Sequence, residues 1–204
     1  GAAHQKVFGI ASALLRAHYQ PFYKKLDSTL KGPWCSELAG MAKAVQPEIT
    51  VVAPAFPTWG RTTVEGIQCV QGRPVWESRF YALPHGDAAS PPEPGNLVHA
   101  LRAQFGGRVR HFRRFALKKG AAVLAREMET ACFQGFPIQV FDAEADEDLK
   151  TIALAGCRLE RRILWAGSGG LARCLPLGWG LRTEVRTDDA RPSCPQVLAI
   201  NGSF

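Results

Sequence analysis

The sequence predicts an α/β fold: a mostly parallel sheet flanked by helices, with an inserted β-hairpin. Three observations predict it. Apolar runs of strand length, such as "ITVVAPAF" and "FPIQVFDA", alternate with segments whose apolar residues recur at helical spacing. Two short runs in "IQCVQGRPVWE" are separated only by a Gln71-Gly72 turn. Small, polar or glycine-rich stretches follow most of the strand-like runs, where an open α/β sheet holds its ligands. Alternating strands and helices imply crossover connections and hence parallel pairing.

The elements follow in order. Val7 to Tyr19 has helical periodicity and Pro21 ends it. Phe22 to Leu26 is a short strand. Pro33 to Val45 is a helix with proline in its first turn. "ITVVAPAF" is a buried strand, "PTWGRTTVEG" a loop, and "IQCVQGRPVWE" the hairpin. Pro84 to Asn96 is an exposed loop rich in proline and glycine. Leu97 to Gln104 is a short helix, and "RVRHFRRF" alternates as a strand does. "AAVLAREMETACF" is an amphipathic helix closed by Gly135, and "FPIQVFDA" is again a strand. "EADEDLKTIALAG" is a helix with acids in its first turn, where the helix dipole favours them. "RRILWAGSGGLARCLP" runs strand, glycine turn, short helix stopping near Pro176, and a polar tail leads to "QVLAINGSF".

Composition narrows the function classes. With 204 residues, 46% of them apolar, the chain can bury the core of one domain. The net charge of +7 is spread along the chain. Its densest run, "GRVRHFRRFALKK", reads as a solvated edge strand and helix start, with an anion-attracting surface as the sharper alternative. No nucleic-acid-binding motif accompanies the charge, so no nucleic acid partner is expected. The six cysteines contain no C-x-x-C pair, which leaves thiols in a reducing cytoplasm as the simplest account. No run approaches the ~20 apolar residues of a membrane span. The histidines lack metal-ligand spacing and the acids of "DAEADED" read as helix caps, so no metal site is expected.

The candidate chemistry sits at strand ends. Asp27, Ser28 and Thr29 can exchange hydrogen bonds with the hydroxyls of a polyol. Lys24, Lys25, Lys31 and Arg61 can hold a carboxylate or phosphate, Arg61 through two parallel bonds. Such a set suits a small hydroxylated carboxylic acid. The plainer account of "DST" is a helix N-cap. Gly167, Ser168, Gly169 and Gly170 form a strand-to-helix turn able to approach a phosphate, or one that merely packs tightly. Gly167, Gly169 and Ala172 also fit G-x-G-x-x-A weakly, which makes a nicotinamide-dependent oxidoreductase a third option.

"YKKLDSTLKG" resembles the KK-hydrophobic-DSTLRG signature of the four-carbon acid sugar kinases, and "VVAPAFPTWGRTTVEG" resembles their PAFP-x-x-GRTT segment. "FDAEADEDLKTIA" and "AGSGGLAR" resemble later segments of that family, in the same order, from Tyr23 to Arg173. The resemblance implies ATP-dependent phosphorylation, with Mg2+, of threonate, erythronate or a 2-oxo-tetronate relative. It places Asp27, Ser28, Thr29 and Lys31 at the acid sugar, with Arg61 and Thr62 nearby. It also implies two domains, residues 1–195 being a partial sugar-acid-binding domain and 196–204 the start of a nucleotide-binding domain or a C-terminal strand. The family's Asp-Asp-x-Thr-Gly-Ala segment does not precede Tyr23, so the expected catalytic aspartate lies outside this chain and the chain alone is not expected to turn over. Lys31 stands where the family has arginine. A non-catalytic acid-sugar-binding or partner-binding module is the alternative, and a homodimer is left open.

Overall fold

The computed structural model describes residues 1–78 and 95–181. The expected segment 196–204, and most of the Pro84–Asn96 loop, lie outside the described residues. In chain order the elements are α1 (Ala2–Arg16), β1 (Phe22–Lys25), α2 (Trp34–Val45), β2 (Ile49–Ala53), β3 (Arg61–Val64), β4 (Ile67–Val70) and β5 (Arg73–Pro74). There follow α3 (Leu97–Phe105), β6 (Val109–Phe112), α4 (Arg114–Leu117), α5 (Ala121–Phe133), β7 (Ile138–Phe141), α6 (Asp146–Gly156), β8 (Ile163–Gly167) and α7 (Gly169–Gly178).

Five strands form one parallel sheet in the order β1-β8-β2-β7-β6. This is the α/β architecture that the alternation of elements predicts. β2 lies at the centre with every residue buried, which is why its run is apolar on both faces. Ile49, Val51 and Ala53 join Phe112, Phe141 and Trp165 in one core, beneath helices α4–α7. Val52 alternates to the other face, with Val140, Leu164 and Ala166, and packs under α2 and α3 with Leu38, Leu97 and Leu101. The rings of Phe112 and Phe141, paired in register, stack at 4.9 Å between centroids.

Strands β3, β4 and β5 form a separate antiparallel sheet. The expected turn at Gln71-Gly72 is there, but the segment read as a loop before it supplies the first strand. Arg61–Val64 is polar and short, so it carries little period-two signal; its two threonines and valine still suit a strand. A turn at Glu65 and Gly66, with φ of 49° and 77°, joins β3 to β4. Other boundaries also differ from expectation. α1 begins at Ala2 because Ala2 and Ala3 favour helix without adding apolar periodicity. It ends at Arg16, and His18 takes a φ of 60°, before Pro21 is reached. The basic "RVRHFRRF" run is strand only to Phe112, and α4 takes up Arg114. α7 continues through Pro176, which falls in its last turn, to Gly178.

The hairpin is fastened to the rim beyond β7. Thr63 and Ala143 exchange backbone hydrogen bonds of 2.9 and 3.0 Å. The Asp142 carboxylate, 2% exposed, accepts the amide N–H of Gly66 at 2.8 Å and that of Glu65 at 3.0 Å. The Nε2 of His111 lies 2.8 Å from the same carboxylate.

Replacing Asp142 by alanine strands two amide donors, so urea unfolding of Asp142→Ala is expected to show a loss on the order of 3 kcal/mol. A loss below about 0.5 kcal/mol would mean that water satisfies those donors. Leu149, fully buried between α6 and the sheet, is expected to cost about 2–5 kcal/mol when cut to alanine, by the same measurement.

Candidate functional site

All five strands of the main sheet run in one direction, so their carboxyl ends share a rim. β1 delivers Asp27, Ser28 and Thr29 there, β2 leads to the Pro54–Arg61 loop, β7 to Asp142 and β8 to Ser168.

Asp27 does not cap a helix, since α2 begins only at Trp34 behind Pro33. It caps its own turn instead. Its Oδ1 accepts from the Thr29 amide at 2.8 Å and from the Thr29 hydroxyl at 2.9 Å. The Leu30 amide closes the turn on the Asp27 carbonyl at 2.9 Å, and Leu30 adopts a φ of 59°. Among the described residues no hydrogen bond is made to Oδ2 of Asp27, which leaves it available as an acceptor. Thr29 is 6% exposed, its hydroxyl spent on the turn.

The hairpin reaches this turn through Gln68, which is fully buried. Its side-chain nitrogen donates to the Ser28 carbonyl at 2.7 Å, and its oxygen accepts from the Thr63 hydroxyl at 2.7 Å. Register pairs Thr63 with Gln68 and Arg61 with Val70. Strand alternation therefore sets Arg61 on the hairpin face that meets Ser28, and Thr62 on the other face beside Cys69. The Arg61 guanidinium donates to the Trp59 carbonyl. The loop before it is held from the far side: the Thr58 hydroxyl donates to Asp146, and the Arg173 guanidinium lies over the Phe56 ring at 5.4 Å.

The cations divide. Lys24 pairs with Glu37 in the first turn of α2 at 2.8 Å and donates to the Lys25 carbonyl at 2.9 Å. Lys25, on the opposite face of β1, donates to the Leu26 carbonyl at 2.9 Å. Lys31 follows the Asp27 turn directly, between Leu30 and a Gly32 of φ 79°.

The glycine turn is packed closely. A Cβ on Gly167 would stand 2.5 Å from the Ala53 carbonyl oxygen, and one on Gly170 2.8 Å from that of Ala55. Ser168, 1% exposed, donates to the Ala55 carbonyl at 2.6 Å and caps α7 by accepting the Gly170 amide at 3.0 Å. The Tyr23 hydroxyl donates to the Ser168 carbonyl at 2.5 Å, and burial pushes its phenol well above the ordinary range. Strand–helix contact thus gives a sufficient reason for glycine at these positions. The same turn sets the amino end of α7 at the rim.

Two organising residues escaped the sequence reading. Gln68 gave no local signal, because its partners lie in other segments. Asp142 stands at the end of β7 as Asp27 does at the end of β1, so its strand-end position was the available clue, but helix capping accounts better for Asp148. Asp148 takes the amides of Glu144 and Ala145 at 2.9 and 2.8 Å and pairs with Arg114 at 2.8 Å. The five described cysteines are unpaired thiols, and burial raises that of Cys35 to about 12 and that of Cys157 to about 11.

Residues 1–175 match the model of a family described as the sugar-binding N-terminal domain. The chain is 37% identical over 153 residues to a D-threonate kinase of Cupriavidus necator, covering 75% of this chain and 35% of that protein. It is 30% identical to a 3-oxo-tetronate kinase of Pseudomonas fluorescens, covering 87% of this chain and 40% of that one. The chain thus spans well under half the length of these relatives. A crystal structure of a domain of unknown function from Bordetella bronchiseptica, a domain-swapped dimer with bound citrate, superposes with a TM-score of 0.71 at 32% identity, over 87% of this chain and 41% of that one. By its sequence and its fold, the chain belongs to the sugar-binding N-terminal domain family.

Proposed function

We propose that this chain is the acid-sugar-binding domain of an ATP-dependent, cytoplasmic kinase for four-carbon sugar acids of the threonate, erythronate or 2-oxo-tetronate type. One observation carries the reading: the Gln68 bond to the Ser28 carbonyl, 2.7 Å long, joins the Asp27 turn to the hairpin face that bears Arg61. An acceptor for hydroxyls and a fork for a carboxylate then stand at one rim. The names of the relatives support the substrate class, and citrate in the Bordetella protein supports a small polyhydric or polycarboxylic acid.

In this reading Oδ2 of Asp27 accepts hydrogen bonds from substrate hydroxyls, and the turn held by Thr29 keeps it from rotating away. Arg61, on a β-strand rather than a free loop, holds the carboxylate in a fixed orientation. Lys25 and Lys31 add positive potential beside it. The chain's part in catalysis is to orient the acid so that one hydroxyl faces the phosphoryl donor, and positioning of this kind supplies much of the acceleration in phosphoryl transfer. The nucleotide supplies the phosphoryl group when bound, and the amino end of α7, through Ser168, Gly169 and Gly170, is the part of this domain suited to lie near its anionic end. Among the described residues no three His, Cys, Asp or Glu side chains converge on a metal position; Mg2+ would enter with the nucleotide of the full-length enzyme.

Binding of D-threonate and D-erythronate to this chain, measured by calorimetry, tests the reading. Asp27→Asn keeps the Oδ1 acceptor that Thr29 uses but removes the second carboxylate oxygen, so it should fold normally and bind at least tenfold more weakly. Arg61→Lys should weaken binding by about tenfold, as expected for losing one charge-assisted hydrogen bond of ~1.5 kcal/mol. Unchanged affinity in both variants, with wild-type circular dichroism, would remove these residues from the site. In the full-length polypeptide, ADP release that depends on D-threonate is the expected activity.

A further inference from the structure

The basic run after Gly107 is only partly explained by the fold. Arg114 and Lys119 pair with Asp148 and Glu127 and belong to helix contacts. His111 and Arg113 instead face a cavity of about 490 Å3, between α3 and the end of β6, at the opposite edge of the sheet from Asp27. β1 and β6 are separated by three strands, about 19 Å at the usual inter-strand spacing. His99 and Arg102 of α3 line the same cavity, and Glu65 of the hairpin turn borders it.

We propose that this cavity is a second anion site, one that takes a phosphate-bearing small molecule. Its volume falls in the range of ligand pockets. Its two guanidinium groups come from different walls, Arg102 from a helix and Arg113 from the turn beyond β6, with the His111 ring on the strand beside them. A tetrahedral phosphate, with oxygens directed several ways, uses such an arrangement fully; a single planar carboxylate needs only one fork. Among the described residues Glu65 is the only carboxylate lining the cavity, and it is bound to Arg113 at 2.8 Å with the two side chains 57% and 70% exposed. A surface pair of that kind is weak, so an incoming phosphate can displace Glu65 from Arg113. Asp142 lies behind His111 and is spent on the hairpin amides. Among the described residues Arg102 has no acidic partner. The site stands apart from the acid turn, yet the hairpin touches both, through Glu65 on one side and Gln68 on the other.

Calorimetric titration of this chain with inorganic phosphate and with glycerol phosphate, at fixed ionic strength with acetate as control, tests the proposal. One-to-one saturable binding is expected for phosphate and not for acetate. Arg102→Ala, an exposed helix position where alanine is well tolerated, should weaken it at least tenfold, and Arg102→Lys less. Asp27→Asn should leave phosphate binding unchanged, which separates this proposal from the acid-sugar reading. Tighter binding of glycerol phosphate assigns the site to phosphate esters; the reverse order assigns it to free phosphate. Absence of saturable binding, equal binding of acetate, or an Arg102→Ala variant that binds as the wild type does would overturn the proposal.

Discussion

The rim depends on one buried carboxylate. Asp142 is almost fully withdrawn from water, and a carboxylate in that position is tolerable only when its oxygens are well hydrogen-bonded. The two amides of the Glu65-Gly66 turn and the His111 ring meet that need. The requirement works in both directions. The carboxylate fixes the turn, and the turn fixes the hairpin over the carboxyl ends of the strands. Gln68 can then reach the Ser28 carbonyl, and Arg61 lies on the face of the hairpin that meets the Asp27 turn.

Each hydrogen bond in this chain of contacts joins segments distant in sequence. That explains which parts of the site were legible and which were not. The core of the sheet was written locally: "ITVV" is apolar on both faces because β2 is covered on both. Asp27, Ser28 and Thr29 stood out because three small polar residues followed a strand. The glycines before α7 stood out too, although their spacing has a packing explanation in the carbonyls of Ala53 and Ala55. Gln68 and Asp142 were not legible as organisers. A buried glutamine inside a short hairpin looks like an ordinary solvated polar residue, and its significance lies in Ser28, in a different element. β3 was lost for a related reason. Its threonines pack against a partner strand and against Ala143 rather than into the main core, so the apolar alternation that marks a strand is weak.

The arrangement also separates duties among residues of like charge. Lys24 and Lys25 are adjacent, yet strand alternation sends one to Glu37 on α2 and the other to the opposite face. Arg113 and Arg114 divide similarly, between the hairpin turn and Asp148. Net charge alone therefore says little about where an anion binds. The backbone that carries each cation decides it, and the two anion sites proposed above lie on either side of the hairpin.

The most direct test of the central claim is amide chemical-shift mapping as D-threonate is titrated into this chain. The account predicts that the largest changes fall together on Asp27, Ser28, Thr29, Arg61 and the Gln68 side-chain amide, saturating with one affinity. Changes confined to one of these two segments, or gathered elsewhere on the molecule, would contradict it.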